Sequence, residues 1–209
     1  MYLRQLNIQP EITKWINGGN CPCLVGEFGC HMDLNNGKCY KKWDKGKRDW
    51  KVFKWQVIAM DLMYNALDEL LLSSTQWNYT ADNNNKFGDN WNQEDLSLFS
   101  RDQQLVDWRK DINSGGRAIP GFCRPYARCI AGTPRLMKFN RKKGTFLLEF
   151  EADEAISAPT EVYIPLIQYP KGFEVHCTDA EWSIASDEPL LFITHPKRKD
   201  ITLKITRKK

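Results

Sequence analysis

Two residues of this sequence, a glutamate and a tryptophan, occupy positions where they could form one chemically active site. Glu27 lies near the end of the short apolar run 23–29, between Gly26 and Gly29. Because glycine has no Cβ, its backbone can approach a ligand closely, and we expect Glu27 to face the open edge of an α/β sheet. The alternative is a structural glutamate that forms an ion pair with a neighbouring Lys or Arg.

Trp77 closes a second run of apolar and small residues, 70–77, and polar residues follow it in Asn78–Asn83. An aromatic plane beside amide and hydroxyl groups is a surface of the kind that sugars need, whereas packing in a core is the alternative for the indole. Loops at the carboxyl ends of parallel strands carry the active sites of (β/α)₈ barrels. Glu27 and Trp77 together therefore indicate a binding or catalytic site more strongly than either residue alone.

The elements that must position these two residues form a βαβ unit. The runs 23–29 and 70–77 are predicted as parallel strands, and the first is predicted to be buried. Between them, a helix of about 20 residues begins at Asp49, because apolar residues recur at spacings of three and four. That stripe consists of Trp50, Phe53, Val57, Met60, Tyr64 and Leu67. After Trp77 the sequence predicts a long Asn- and Asp-rich loop to Asp95, and later a short helix between Gly116 and Cys123.

From Pro134 onward the pattern changes to short apolar runs separated by Gly, Pro and Asp turns. Spacings of roughly 8 to 12 residues between runs are typical of an antiparallel β-sandwich, here of six or seven strands. The predicted strands are 136–139, 145–150, 161–167, 173–177, 190–194 and 201–206. The fold class is therefore α/β followed by all-β, with one predicted domain at 1–131 and a second at 132–209.

Composition and charge exclude several classes of protein. The 209 residues are 42% hydrophobic and 27% charged, which is the balance of a folded chain and not of a disordered or fibrous one. No run approaches the ~18 to 20 apolar residues of a membrane span. The net charge is +4, and basic triplets occur at 141–143, 197–199 and 207–209. We interpret them as solvated turns and a terminus, and expect no nucleic-acid partner.

The first ten residues lack the apolar segment of a secretion signal. Seven cysteines, an odd number, favour reduced thiols over a disulfide framework. We therefore expect a cytoplasmic or similarly reducing compartment, and the compartment is unknown if the authentic start lies upstream. Thiolate and imidazole could bind zinc, but the spacing of the candidate ligands matches no recognised motif, so we predict neither a metal nor a cofactor. Those ligands are Cys21, Cys23, Cys30, His31 and Cys39.

The same segments carry a resemblance to a known family. Leu24–Gly29 (Leu-Val-Gly-Glu-Phe-Gly) resembles the strand-seven nucleophile segment of family-5 glycoside hydrolases. Trp77–Asn83 (Trp-Asn-Tyr-Thr-Ala-Asp-Asn), with 87–97 after it, is similar to the strand-eight segment of the endoglycoceramidase and fungal steryl-glucosidase branch. Residues 124–134 and 158–165 resemble the join and the β-sandwich domain that follow the barrel. The resemblance runs from about Pro22 to the end of the chain.

The resemblance implies a partial (β/α)₈ TIM barrel, its last two strands, followed by a C-terminal antiparallel β-sandwich. It implies a retaining β-glycosidase that hydrolyses a glycolipid, either a glycosylceramide or a steryl glucoside, with peripheral contact to a membrane surface. Glu27 would be the nucleophile and Trp77 the platform under the sugar ring. The remaining implied substrate contacts are Asn78, Asp89, Asn90 and Trp91.

The sequence departs from the family's pattern in one important respect. A retaining enzyme needs a second carboxyl group, and the family places it in an Asn-Glu-Pro motif on the fourth barrel strand. That motif does not occur here, since the only Glu-Pro is Glu188-Pro189. The acidic residues of the long loop have no such role in the family; they are Asp82, Asp89, Glu94 and Asp95.

A barrel takes ~250 residues, whereas some 130 precede the predicted sandwich. The chain therefore resembles the C-terminal portion of an enzyme, inactive alone. The alternative is a non-catalytic sandwich module that binds a carbohydrate or a lipid surface. Whether the chain acts as an enzyme is left open at this point.

Overall fold

A computed structural model describes residues 2–6, 22–195, 197 and 199–209. The α-helices are α1 (Tyr2–Leu6), α2 (Leu34–Asp44), α3 (Lys54–Glu69) and α4 (Ile119–Phe122). The strands are β1 (Leu24–Phe28), β2 (Ser73–Gln76), β3 (Tyr126–Cys129), β4 (Gly132–Asn140), β5 (Thr145–Ala152), β6 (Thr160–Tyr163), β7 (Phe173–Cys177), β8 (Glu181–Ile184), β9 (Leu190–Thr194) and β10 (Asp200–Arg207). Short 3₁₀ helices lie at Trp50–Phe53, Arg101–Gln103, Trp108–Lys110 and Leu166–Gln168. No helix in the described part of the chain is both long and apolar enough to cross a membrane.

The chain divides into two compact units. The sandwich unit contains Asn65–Leu72, Cys123–Lys209 and the described part of Met1–Ile8. The parallel-sheet unit contains Ser73–Phe122 and the described part of Gln9–Tyr64. The predicted division into domains at 1–131 and 132–209 stays a prediction.

In the parallel-sheet unit, β1 and β2 pair in parallel, with Leu24 opposite Ser73 and Phe28 opposite Gln76. This pairing confirms the predicted pair of parallel strands. The prediction that the first strand is buried is wrong, since Leu24 is 60% exposed and Glu27 is also exposed. Within the described residues this sheet has two strands, too few to enclose their own side chains.

The predicted long helix is present as a 3₁₀ turn that continues directly into α3. The Asp49 side chain accepts a hydrogen bond of 2.9 Å from the Lys51 amide and so caps the turn. Along the predicted stripe, Phe53, Val57 and Met60 are almost completely buried. Two positions of the stripe are not buried: Trp50 is 44% exposed, and Tyr64 is half-buried.

The core of the parallel-sheet unit forms between α2 and α3. The sequence did not reveal α2, because its first residues, Asn35–Gly37, have positive φ values of 56° to 62° and break the helical periodicity. The predicted short helix after Gly116 is present as α4. The residue before it, Ala118, is buried in this core. The buried members of this core are Cys30, Met32, Cys39, Tyr40, Trp43, Val52, Phe53, Val57, Met60 and Ala118.

The sandwich unit contains two antiparallel sheets of four strands, in the orders β4-β5-β10-β7 and β3-β6-β9-β8. All six predicted strands are present, although the run 161–167 ends at Tyr163 and is followed by a 3₁₀ turn at Leu166–Gln168. The strands β3 and β8 escaped prediction because they are short edge strands. All four residues of β8 are exposed, so no apolar alternation marks it.

Both sheets contribute to one apolar core, as a β-sandwich requires. In β5 every second residue is buried, namely Phe146, Leu148, Phe150 and Ala152. Residues from β6 and β9 of the facing sheet, and from β10 beside β5 in the same sheet, join this cluster; they include Val162, Leu191, Ile193, Ile201, Leu203 and Ile205. The predicted antiparallel architecture of this part of the chain is confirmed.

Candidate active site

The ends of the two parallel strands are held against each other by backbone contacts. The Trp77 amide donates a hydrogen bond of 2.8 Å to the carbonyl oxygen of Phe28. A Cβ at Gly29 would overlap the carbonyl oxygen of Trp77, so Gly29 is needed where the two strand ends meet. By contrast, a Cβ at Gly26 would meet no atom within 4 Å. Gly29 is therefore required by this backbone contact, and the close approach of a ligand that the sequence suggested stays a prediction.

An open pocket of about 270 Å³ lies at this edge of the sheet. It brings together three of the residues predicted for the site, Glu27, Trp77 and Trp91. The other lining residues are Phe28, Gly29, Asn92, Glu94 and Leu96. Sequence reasoning missed Asn92 as a pocket residue and considered Glu94 only as an acid of the loop, because no spacing distinguishes them from their polar neighbours.

Glu27 is available to a ligand in this pocket. Its side chain is exposed, and no residue in the described part of the chain forms a hydrogen bond or an ion pair with its carboxylate. The alternative of a structural glutamate requires a Lys or Arg partner, and none is present among the described residues. The carboxylate can therefore accept hydrogen bonds from, or react with, a molecule that enters from solvent.

Two indoles form the aromatic side of the pocket. The rings of Trp77 and Trp91 lie 5.8 Å apart between centroids, with planes inclined at 54°. Trp91 is 57% exposed, and Trp77 is half-buried. Large aromatic faces with part of their surface open are suited to apolar contact with a ring-shaped ligand.

The predicted contacts Asn78 and Asp89 organise the loop that carries Trp91. Asp89 is buried, and its carboxylate accepts hydrogen bonds from the side-chain amides of Asn78 (3.0 Å) and Asn83 (2.8 Å). It also accepts bonds from the backbone amides of Leu96 (3.0 Å) and Ser97 (3.3 Å). These four hydrogen bonds to one carboxylate hold the loop folded back on itself.

The structure does not bring Asn78, Asp89 or Asn90 into the pocket lining. Asn90 is exposed at a turn, has a φ of 58°, and donates a backbone hydrogen bond to the carbonyl of Phe87. Positive φ is tolerated by asparagine better than by most residues, which accounts for its type at this turn.

A buried ionic network fixes the far end of the same loop. Arg117 is fully buried and pairs with Asp95, with its Nη1 3.1 Å from the Asp95 Oδ2. Its Nε donates to the carbonyl of Ser97 at 3.0 Å, and the Tyr40 hydroxyl donates to the Asp95 carboxylate. The sequence held no sign of this network, because Arg117 is a single cation with no periodic or motif context.

The network also sets the protonation states of its members. Burial acts to raise the pKa of the Asp95 carboxyl, but the hydrogen bonds and charge of Arg117 outweigh it and lower that pKa. Burial raises the pKa of the Tyr40 hydroxyl well above its usual range, so Tyr40 stays a neutral donor. The Asp95 carboxylate that holds the loop end is thus ionised at neutral pH.

The candidate zinc ligands do not come together in the described part of the chain, where no group of three or more His, Cys, Asp or Glu is placed to hold a metal. The Cys39 thiol donates to the carbonyl of Met32 at 3.1 Å. Burial, and then the charge of Asp33, raise the pKa of Cys30 to about 11, which favours the thiol over the metal-binding thiolate. Cys21 lies outside the described residues.

Comparisons with known proteins cover both units of the chain. Residues 124–206 match the family model described as glycoside hydrolase family 5 C-terminal domain. A glucosylceramidase of Rhizopus delemar is 32% identical over 165 residues, which cover 74% of this chain and 23% of the relative. The crystal structure of Cryptococcus neoformans sterylglucosidase 1 superposes with a TM-score of 0.83 at 28% identity, covering 99% of this chain and 31% of that one.

The chain is an endoglycoceramidase- and steryl-glucosidase-like member of glycoside hydrolase family 5. Endoglycoceramidase II from a Rhodococcus species has the same fold, with a TM-score of 0.63 at 20% identity over 99% of this family-5 chain. The family match at 124–206 takes in the sandwich strands from β3 to β10. This family-5 chain spans about a quarter of the length of the Rhizopus glucosylceramidase and about a third of the Cryptococcus sterylglucosidase.

Proposed function

We propose that this chain is the carboxyl-terminal part of a retaining β-glycosidase that hydrolyses the O-glycosidic bond of a glycolipid. The observation that carries the proposal is the placement of Glu27 and Trp77 at the carboxyl ends of adjacent parallel strands, in one pocket. The relatives support the substrate class, since they are named glucosylceramidase and, in Saccharomyces cerevisiae, ergosteryl-beta-glucosidase.

In this proposal Glu27 is the nucleophile. Its carboxylate attacks the anomeric carbon of the sugar and forms a glycosyl ester, while the bond from that carbon to the aglycone oxygen breaks. The aglycone leaves with a proton from a second carboxylic acid. Water then gives up a proton to that same second group and cleaves the ester, so the anomeric configuration is retained and Glu27 is regenerated.

The second carboxyl group is proposed to come from an upstream barrel strand. The parallel-sheet unit is then the last part of a (β/α)₈ barrel, with β1 and β2 as its final two strands. Support comes from the greater length of the relatives and from Leu24, Trp55 and Leu62, three large apolar side chains of β1 and α3 that are more than half exposed. Further barrel units would cover such side chains, because parallel sheets are usually covered on both faces.

Glu94 also lines the pocket and adds a carboxylate to that of Glu27. The resemblance gives it no catalytic role, and we propose that it contacts sugar hydroxyls. Trp77 and Trp91 provide the apolar faces for the sugar ring and for the start of the aglycone. Asn78, Asp89 and Asn90 act through the shape of the loop, which sets the position of Trp91.

A chimera tests this function directly. The segment of Rhizopus delemar glucosylceramidase that matches this chain is replaced by this chain, and hydrolysis of glucosylceramide and of a steryl glucoside is measured. The Glu27→Gln variant of the chimera is expected to lose at least about a thousand-fold in kcat, since it removes the nucleophile. Full activity of Glu27→Gln would show that the nucleophile assignment is wrong.

Two matched variants sharpen that test. Glu94→Gln is expected to lower kcat/KM about ten- to a hundred-fold while sparing the covalent step, since it removes a binding contact and no bond-forming group. Glu188→Gln changes the only Glu-Pro of the chain, which lies before β9 in the sandwich unit, and should leave the rate unchanged. A 2-deoxy-2-fluoroglucoside should label the peptide that contains Glu27, and labelling elsewhere would contradict the mechanism.

The alternative, a non-catalytic binding module, predicts a different result for the Glu27→Gln variant. Binding of a carbohydrate or a lipid surface by the sandwich unit should be indifferent to Glu27→Gln. An inactive chimera in which this chain still folds and binds glycolipid would favour the module.

A further inference from the structure

Two basic segments that lie about 60 residues apart in the sequence meet at one end of the sandwich unit. The first, Arg141–Lys143, lies in the turn between β4 and β5, and the second, Arg207–Lys209, begins with the last residue of β10. The Arg207 amide donates a hydrogen bond of 3.0 Å to the carbonyl of Gly144. The Arg207 guanidinium donates one of 3.3 Å to the carbonyl of Arg141. The two triplets, interpreted from sequence as separate solvated segments, are therefore neighbours.

A third segment, the turn before β7, brings another lysine to the same place. The Lys208 amide donates a hydrogen bond of 3.1 Å to the carbonyl of Gly172, next to Lys171. The Arg207 Nε donates to the carbonyl of Gln168 in the preceding 3₁₀ helix. We call the resulting cluster the basic end; its cations are Arg141, Lys142, Lys143, Lys171, Arg207, Lys208 and Lys209.

Few acidic side chains of the described residues lie near the lysines of the basic end. All five lysines are exposed, and none forms an ion pair with a residue in the part of the chain that the structure describes. Within the segments 140–145, 165–174 and 206–209 the single carboxylate side chain is Glu174. At the other end of β10, by contrast, Lys199 pairs with Asp179 at 3.3 Å. Positive charge is thus concentrated where the three segments converge.

Two exposed aliphatic side chains adjoin this charge. Leu166 is 68% exposed and Ile167 is 39% exposed, in the 3₁₀ helix whose Gln168 carbonyl binds Arg207. Aliphatic side chains beside several cations are typical of proteins that lie on an anionic lipid surface. Single-stranded nucleic acids favour exposed aromatic rings for stacking, whereas the aromatic residue of this turn, Tyr169, is buried.

We propose that the basic end is a docking surface for anionic lipid headgroups of a membrane. The lysines bind phosphate and carboxylate groups, and Leu166 with Ile167 enters the interface between headgroups and acyl chains. Each cation near such a surface contributes about a five-fold increase in partitioning, from ~1 kcal/mol per Lys or Arg. The proposal stands on the sandwich unit alone and does not depend on the hydrolase activity proposed for the pocket.

The test measures binding of the full chain to vesicles by co-sedimentation. One set of vesicles contains phosphatidylcholine alone, and the other contains phosphatidylcholine with 30% phosphatidylserine, each at 0.1 M and 0.5 M NaCl. We expect binding to the anionic vesicles at 0.1 M NaCl, weak binding to the neutral ones, and a loss of at least ten-fold at 0.5 M NaCl because salt screens the charges.

Matched lysine variants locate the surface. Lys142→Gln/Lys143→Gln/Lys208→Gln should weaken binding to anionic vesicles by about a hundred-fold, that is, about five-fold per lysine. Lys41→Gln/Lys42→Gln/Lys45→Gln removes the same charge from exposed lysines of the other unit and should change binding less than three-fold. Equal losses in both variants, or no vesicle binding by the unchanged chain, would overturn the proposal.

A third variant and a competing ligand complete the test. Leu166→Ser/Ile167→Ser changes only exposed side chains and should remove most of the binding that survives 0.5 M NaCl. Stronger binding to a 20-base single-stranded DNA than to anionic vesicles, sensitive to the same three lysines, would assign the surface to nucleic acid and overturn the lipid assignment.

Discussion

The two units use the same kinds of apolar residue with opposite results. In the sandwich unit, Leu148 of β5 is completely buried, because a second sheet faces it across the core. In the parallel-sheet unit, Leu24 of β1 is 60% exposed, because its sheet has two strands within the described chain. The difference shows that burial follows the number of strands that pack together and not the apolar character of a strand.

The units are alike in one respect, since each keeps a buried arginine paired with a carboxylate. Arg117 pairs with Asp95 under the pocket loop, and Arg124 pairs with Asp68 at 2.7 Å near the end of α3. Arg124 also lies over the ring of Phe139 in β4, at 5.2 Å from the centroid. The first pair shapes a loop, whereas the second ties a helix end to a sheet.

Removal of one partner of the Arg117–Asp95 pair should have the largest effect on stability. Arg117→Met leaves the Asp95 carboxylate buried without its cation, and we expect the free energy of unfolding to fall by about 3–5 kcal/mol. The double variant Arg117→Met/Asp95→Leu should recover part of that loss, since no unpaired charge remains. Urea unfolding monitored by tryptophan fluorescence measures both, and a single variant as stable as the parent would contradict the role of the pair.

A leucine in each unit tests the difference in burial. Leu148→Ala removes a fully buried side chain and should cost about 2–5 kcal/mol, whereas Leu24→Ala at an exposed position should change stability by less than about 0.5 kcal/mol. Thermal unfolding of the two variants measures the contrast. If Leu24→Ala were as damaging as Leu148→Ala, the first strand would be covered in solution.

Two glycines of the Glu27 segment separate a backbone requirement from a ligand requirement. Gly29→Ala places a methyl group against the Trp77 carbonyl and should destabilise the chain by about 1–3 kcal/mol. Gly26→Ala meets open space and should be neutral or stabilise the chain by up to about 1 kcal/mol. A reversal of that order, measured by chemical denaturation, would show that the two strand ends do not meet as described.

Acid should weaken the pocket loop through Asp95. The pKa of this carboxyl is held below its usual value in the folded chain, so its stabilising effect is complete above about pH 5 and is lost as the pH falls through the folded pKa. The urea midpoint should therefore drop between pH 5 and pH 3. This drop should be smaller in Asp95→Asn, whereas the exposed control Asp82→Asn should keep the full dependence.

Local patterns determined much of what was predicted correctly. The three- and four-residue spacing after Asp49 predicted α3, and alternation or continuous apolar runs predicted six strands of the sandwich. Such patterns are visible in sequence because each residue's environment depends on its own element. The same logic fails for α2, whose first turn has positive φ, and for β8, which has no buried face.

The candidate site also combines residues that the sequence predicted with contacts that only the structure shows. Glu27, Trp77 and Trp91 were predicted from residue types at strand ends and from a resemblance, and the pocket brings these three together. The predicted substrate contact of Asp89 stays a prediction, and the structure shows in addition that this carboxylate accepts four hydrogen bonds from the loop itself. In sequence, a carboxylate that contacts a ligand looks the same as one that binds its own loop. Hydrogen bonds to the loop are therefore visible only in the structure.

The sequence by itself determined the parallel strand pair, the long helix, the sandwich architecture and the family. Only the tertiary structure decided that Asp95 pairs with Arg117, that Gly29 makes room for a carbonyl, and that Arg141–Lys143 and Arg207–Lys209 form one basic end. The physical reason is distance along the chain. Periodicity and turn chemistry act over a few residues, whereas ion pairs, close backbone contacts and charge clusters join segments that are tens of residues apart.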